Sequence, residues 1–192
     1  NGGYGAPLTP IFHKLISKKI NNKFQTKFPI SVINIGGITN VSQIINKNGQ
    51  LEKSLFAYDI APGNCLIDEW IRKNCGKKFD YDGKIALSGK VDDLILNQAI
   101  ENFPINSFEK SLDIKDFDTS FVKGLSIEDG CATLTKYTAF LISEGLKKID
   151  NLNKIKTKTY LLCGGGRKNK KLIEDINFFL TDKNIVLKII DN

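Results

Sequence analysis

Two apolar, β-branched runs meet at a pair of glycines in FPISVINIGGITNVSQII, Phe28 to Ile45, and no other stretch restricts the fold so tightly. The flanking runs predict two antiparallel strands, and Gly36 with Gly37 predicts the tight turn that joins them, with Gly37 at a positive φ. Two adjacent residues without a Cβ let backbone N–H groups close on a bound anion together. Asn34 and Asn40 stand on either side of the glycines, and each offers an amide donor without adding charge. An ordinary glycine hairpin is the competing reading.

Behind the hairpin, Asn48–Gly49 predicts a further turn and Ser54 to Ile60 a third strand, so the hairpin extends into an antiparallel meander. Tyr58 to Asn64 then closes that strand and opens a helix carrying Leu66, Ile67, Trp70 and Ile71 on one face. Asp59 sits near a strand end, where α/β proteins tend to keep working carboxylates, although a turn or cap role fits it as well. Tyr81 to Leu87 reads as a short helix, Val91 to Phe103 as a longer one, and Lys110 to Phe121 as loop with a helical turn. Ser126, followed by Glu128 and Asp129, caps a long helix whose stripe is Ile127, Cys131, Leu134, Thr138, Leu141 and Leu146.

The second informative stretch is Thr159 to Cys163, a short apolar strand running directly into Gly164, Gly165 and Gly166, with a helix beginning near Asn169. Strand, triple glycine and helix together make a nucleotide-binding arrangement: bare backbone admits a flat base or ribose, and the helix start presents unpaired N–H groups. A tight strand-to-helix corner is the alternative. The stretch is neither GxxxxGK[ST] nor GxGxxG. Ile185 to Ile190 predicts one more strand and completes a βαβ unit. At the other end, Gly2, Gly3 and Gly5 form a glycine loop before Pro7, followed by a helix bearing Ile11, Phe12, Leu15, Ile16 and Ile20.

Composition removes several function classes. With 192 residues, 41% of them hydrophobic, the chain can bury one substantial core, and no run has the length of a membrane span. Four cysteines without a CxxC pair, and a single histidine, argue against a zinc set and for reduced thiols in the cytoplasm. The net charge of +7 is spread along the chain as lysine, with Arg72 and Arg167 the only arginines, which is not the pattern of a nucleic-acid groove. The start at Asn1–Gly2–Gly3, the absence of methionine and the stop behind a strand-like run lead us to expect a piece of a longer protein.

Five stretches together resemble the anhydro-N-acetylmuramic acid kinases of the sugar-kinase and actin superfamily: GGYGAPLTPIFH (Gly2 to His13), INIGGITNV (Ile33 to Val41), YDIAPGNCLID (Tyr58 to Asp68), ATLTKYTA (Ala132 to Ala139) and LLCGGGRKN (Leu161 to Asn169). Tyr4 stands where the family usually has Gln, and Ile60–Ala61 where it usually has Thr–Gly. The resemblance implies an α/β, RNase H-like second domain of an actin-like ATPase, a mixed sheet with flanking helices, spanning most of residues 1–192. It implies that an N-terminal phosphate-loop domain, a water-activating aspartate and a C-terminal stretch lie outside this chain. The chain alone is therefore expected to be inactive.

By the same resemblance, the reaction is ATP- and Mg2+-dependent phosphorylation of 1,6-anhydro-N-acetylmuramic acid with hydrolytic opening of the anhydro ring, in peptidoglycan recycling. Asp59 is the catalytic candidate. Asn34, Gly36, Gly37 and Asn40 would bind the transferring phosphate. Gly63, Asn64, Gly164, Gly165, Gly166 and Asn169 would bind the nucleotide, and Gly2, Gly3 and Gly5 the sugar, with no metal site built from protein ligands alone. A homodimer is implied for the complete protein, with no nucleic-acid or membrane partner. Another sugar or carboxylate kinase of the superfamily, or a non-catalytic nucleotide-binding module, are the alternatives.

Overall fold

The computed structural model describes residues 28–45, 55–103, 111–157, 159–180 and 185–190. Within them the hairpin forms as its pattern predicts: β1 (Ile30–Ile35) and β2 (Ile38–Ile44) run antiparallel, and β3 (Leu55–Pro62) extends them into a meander. β1 also pairs in parallel with β4 (Thr159–Cys163), and β4 with β5 (Val186–Ile189), so the five-stranded sheet has the order β3-β2-β1-β4-β5. The mixed character follows from the connections. A two-glycine turn can only reverse the chain, whereas the crossover helix between β4 and β5 returns it parallel. The Asn48–Gly49 turn, the Gly2–Gly5 loop and the helix expected from Ile11 to Ile20 lie outside the described residues.

Alternation along the strands divides the sheet into two faces. Ile33, Ile35, Val41, Tyr160 and Leu162 face the larger core, and Ile30, Val32, Ile44 and Leu161 the smaller one. The larger core is closed by α1 (Cys65–Cys75), α4 (Ile127–Leu152) and α5 (Lys170–Phe179), with α2 (Lys84–Ser88) and α3 (Asp93–Glu101) packed on α4. The helix expected over Tyr81 to Leu87 is split into a 3-10 turn, Tyr81–Gly83, and α2, because Asp82 (φ 56°) and Gly83 (φ 72°) both adopt left-handed backbone.

At 26 residues, α4 is about 39 Å long. It starts at Ser126, whose hydroxyl accepts the Asp129 N–H at 3.0 Å, as the capping pattern predicts. Glycines lie where neighbours come closest. A Cβ at Gly130 would stand 2.5 Å from the Trp70 ring, and one at Gly145 2.9 Å from Ile60. Trp70 fixes the first of these approaches by donating its indole N–H to the Ile127 carbonyl at 3.0 Å.

The far end of α4 is tied to the sheet by polar side chains. Asp150 accepts from Gln43 Nε2 (2.5 Å), from the Thr157 N–H and hydroxyl (3.0 Å each) and from the Tyr160 hydroxyl (3.1 Å). Asn153 donates to Gln43 Oε1 at 2.6 Å and accepts from the Tyr58 hydroxyl at 3.0 Å, so β2, β3 and β4 all meet the helix end. Removing the carboxylate strands several donors at once, which costs more than one hydrogen bond contributes. We therefore expect Asp150→Ala to destabilise the fold by about 3 kcal/mol. A urea midpoint within error of the parent at unchanged m-value would contradict this.

Candidate functional site

The Gly36–Gly37 turn is built by its carbonyls. The Gly36 oxygen accepts from the Asn64 N–H at 2.7 Å and from Asn64 Nδ2 at 3.2 Å. The Gly37 oxygen accepts from the N–H groups of Gly63 (2.8 Å) and Cys65 (3.2 Å). The start of α1 is thus docked on the hairpin tip, with the Cys65 N–H and the two N–H groups before it spent on the turn carbonyls. Neither turn glycine has a positive φ, which corrects the expectation for Gly37: the bonds from α1, not a left-handed residue, shape this turn. Nor do the described residues crowd them. Among these, a Cβ at Gly36 would meet only the Ile38 carbonyl at 3.4 Å, and one at Gly37 only Ile114 Cδ1 at 3.6 Å.

Sheet register gathers the polar candidates into one row. Asn34 is opposite Asn40, Asn40 opposite Asp59, and Asn34 opposite Cys163, so these four share a face at the glycine end of the sheet. A register shift after Thr39 leaves Ile60 unpaired and turns Asp59 onto this face. The Asn34 side-chain oxygen accepts the Cys163 thiol at 3.8 Å. Asp59 accepts the Leu112 N–H at 3.2 Å; burial raises its carboxyl above the ordinary value, and that hydrogen bond offsets part of the rise. The segment carrying Leu112 also places Ile114 beside Gly37.

The triple glycine divides by role. Gly164 is left-handed (φ 80°), and a Cβ there would stand 2.5 Å from both Asn34 Oδ1 and the Ile35 carbonyl. One at Gly166 would overlap the Ile35 side chain. At Gly165 the nearest atom would be Asn64 Nδ2 at 3.8 Å. Gly164 and Gly166 are therefore required by packing of β4 on β1, whereas Gly165 has room beside it among the described residues. Gly63 is likewise needed by packing, since a Cβ would overlap the Gly36 carbonyl. The helix begins after Asn169, as expected. A 3-10 turn, Gly165–Lys168, intervenes, and Asn169 caps α5 by accepting the Leu172 N–H at 3.1 Å, so that donor is already paired.

Gly165 opens into a cleft of about 390 Å³ lined by Asn64, Ile67, Asp68, the segment Phe79–Asp82, and Arg167, Lys168 and Asn169. Several of these residues escaped sequence reasoning. The Asp82–Gly83 dipeptide was the available signal, a turn pair that lifts Phe79 and Tyr81 out of the helix. Arg167 donates to the Gly164 carbonyl at 2.6 Å, and Asp80 accepts the N–H groups of Ile85 (2.9 Å) and Ala86 (3.0 Å), so both brace the cleft walls. Burial pushes the Asp68 carboxyl up to about 6; Arg72 opposes the shift and Asp80 adds to it. Gly2, Gly3 and Gly5 lie outside the described residues, and among those described no three His, Cys, Asp or Glu side chains gather as metal ligands.

Two outcomes follow from this geometry. Gly166→Ala must displace Ile35 and is expected to lose about 1–3 kcal/mol. Gly165→Ala should leave the melting temperature within about a degree; equal losses would erase the distinction. For Asp68, the folded-state value exceeds the unfolded one, so the native protein takes up its proton first as pH falls. The contribution of Asp68 to stability should therefore rise between pH 7 and pH 4 and level off below. Asp68→Asn should reduce the gain in urea midpoint across that window relative to the parent, and an identical pH profile for the variant would exclude the assignment.

Comparison with known proteins agrees with this picture. The chain matches the family model "Anhydro-N-acetylmuramic acid kinase" over residues 1–188. Among curated relatives of that name, it is 50% identical to the Pelagibacter ubique protein over 194 residues, covering 100% of this chain and 50% of the relative. It is 37% identical to that of Agrobacterium fabrum, covering 92% and 44%, and 36% to that of Rhodospirillum rubrum, covering 90% and 43%. The chain thus spans about half the length of the curated relatives it matches. Among solved structures it resembles the activator of the 2-hydroxyisocaproyl-CoA dehydratase from Clostridium difficile with bound ADPNP (TM-score 0.51, 15% identity, 86% of this chain and 55% of that one). It also resembles component A of the Acidaminococcus fermentans (R)-2-hydroxyglutaryl-CoA dehydratase (0.53, 14%, 92% and 60%). Those likenesses give the fold, an α/β actin-like domain, and the five motifs with the match across residues 1–188 give the family: this chain belongs to the anhydro-N-acetylmuramic acid kinases.

Proposed function

We propose that this chain supplies the second, nucleotide-binding domain of a two-domain kinase that uses ATP to phosphorylate 1,6-anhydro-N-acetylmuramic acid while water opens the anhydro ring. The observation that carries the reading is a residue shared by cleft and hairpin. Asn64 lines the cleft beside Gly165 and donates to the Gly36 carbonyl; on this reading a nucleotide lying along Gly165 directs its phosphates towards the glycine turn and the Asn34–Asn40–Asp59 row. The ADPNP bound to the dehydratase activator, a protein of the same fold, supports a nucleotide in such a cleft.

Phosphoryl transfer asks a protein for positioning and charge stabilisation more than for covalent chemistry. Gly36 and Gly37 let the transferring group approach bare backbone, while Asn34 and Asn40 offer neutral amide donors to its oxygens. Asp59 is the one carboxylate in the row and suits magnesium, which keeps few protein ligands and takes the rest from phosphates and water. Bound with the nucleotide, magnesium would neutralise charge on the phosphates, and Asp59 is the residue that would hold it. Donors from the rest of the protein must converge on the same phosphate, and the sugar falls to the Gly2, Gly3 and Gly5 loop. The reading includes a place in peptidoglycan recycling in the cytoplasm and a homodimeric whole protein.

Gly37→Ala in the full-length protein tests it. Because Gly37 has ordinary backbone and room for a methyl, its stability should hold within about 1 kcal/mol, while a displaced donor costs about a hundredfold in turnover. Steady-state kinetics at saturating sugar and ATP, paired with a melting curve, decide. Full turnover would leave Gly37 as a turn residue and take the hairpin out of the site.

A further inference from the structure

We propose that Phe79 and Tyr81 form the stacking wall for the purine base of the nucleotide. The inference rests on the nucleotide reading and adds the residues that recognise the base. Both rings line the same cleft as Gly165. They are 51% and 64% exposed, although a chain with a buried core of this size has little reason to leave two large rings in water side by side. They stack on each other, centroids 6.2 Å apart and planes inclined by 28°, and the Lys84 ammonium lies 5.5 Å from the centre of the Tyr81 ring. The pair is thus held as a unit rather than free to fold away.

The backbone beneath them is built to lift them. Asp82 and Gly83 are consecutive left-handed residues, which breaks the helix and lifts the aromatic segment to the cleft mouth. In the same cleft, Gly165 alone of the three glycines meets no crowding neighbour among the described residues. A cleft that combines bare backbone with exposed aromatic rings suits a purine, whose two fused rings offer the larger π surface. Its ribose and phosphates would then run past Asn64 towards the hairpin.

Calorimetric titration of the full-length protein with ATP, and separately with inorganic tripolyphosphate, tests the assignment in Tyr81→Ala, Tyr81→Phe, Phe79→Ala and Gly165→Val. Stacking predicts about tenfold weaker ATP binding for each alanine variant, near-parental binding for Tyr81→Phe, and no change for tripolyphosphate, which has no base. The exposure of both rings keeps the alanine variants folded, which melting curves verify. Parental ATP affinity in the alanine variants, with binding lost in Gly165→Val, overturns the stacking wall and leaves the nucleotide cleft standing. An equal loss for ATP and tripolyphosphate also overturns it. Absence of ATP binding in the parent protein overturns the nucleotide reading and the wall with it.

Discussion

Everything around the site depends on the docking of the α1 start onto the carbonyls of the Gly36–Gly37 turn. Three backbone N–H groups and the Asn64 amide converge on two oxygens, so the strand hairpin and the helix behind β3 move as one piece. A helix start usually leaves its first donors for water, caps or ligands. Here the Cys65 N–H is used internally, and the approach is close enough that residue 63 has to be glycine. What remains for a ligand is the opposite side of the turn, where neither glycine is crowded.

The same joint connects to the second glycine unit. Asn64 reaches from the hairpin to Gly165 and Gly166, and Gly164 and Gly166 press against Ile35 at the end of β1. Two turns from distant parts of the chain thereby share one short strand end, and Asn64 belongs both to the hairpin contacts and to the cleft beside Gly165. The polar lattice around Asp150 at the C-terminal end of α4 borders a separate cleft, lined by Lys147, Asp150, Lys154, Lys156, Thr157 and Tyr160. Its hydrogen bonds hold the helix in register with β2, β3 and β4, which keeps the glycine end of the sheet at a constant geometry.

Much of this was legible beforehand. Strand positions around Gly36–Gly37, the third strand, the Ser126 cap and the Thr159–Cys163 strand came from local alternation, branching and capping, and each lies within a residue or two of where the sequence put it. The short helix after Tyr81 was misread because two successive left-handed residues interrupt it, and only glycine advertises that conformation in a sequence. The glycine roles were only partly visible. A glycine needed for packing and a glycine left open for a ligand are the same letter, and the difference lies in what stands 3 Å away.

By itself the sequence determined the elements, the family and the two glycine units, because strand alternation, turn chemistry and motif spacing are carried by neighbouring residues. Tertiary structure alone decided that Gly165 faces open space while Gly164 and Gly166 do not, and that Asp59, Asn40, Asn34 and Cys163 form one row. It also decided that Asp68 is buried enough to hold its proton up to about pH 6, and that Phe79 and Tyr81 border the same cleft as Gly165. The physical reason is that these properties belong to distances between residues far apart in the chain, which are set by strand register and helix docking and leave no trace in the local pattern.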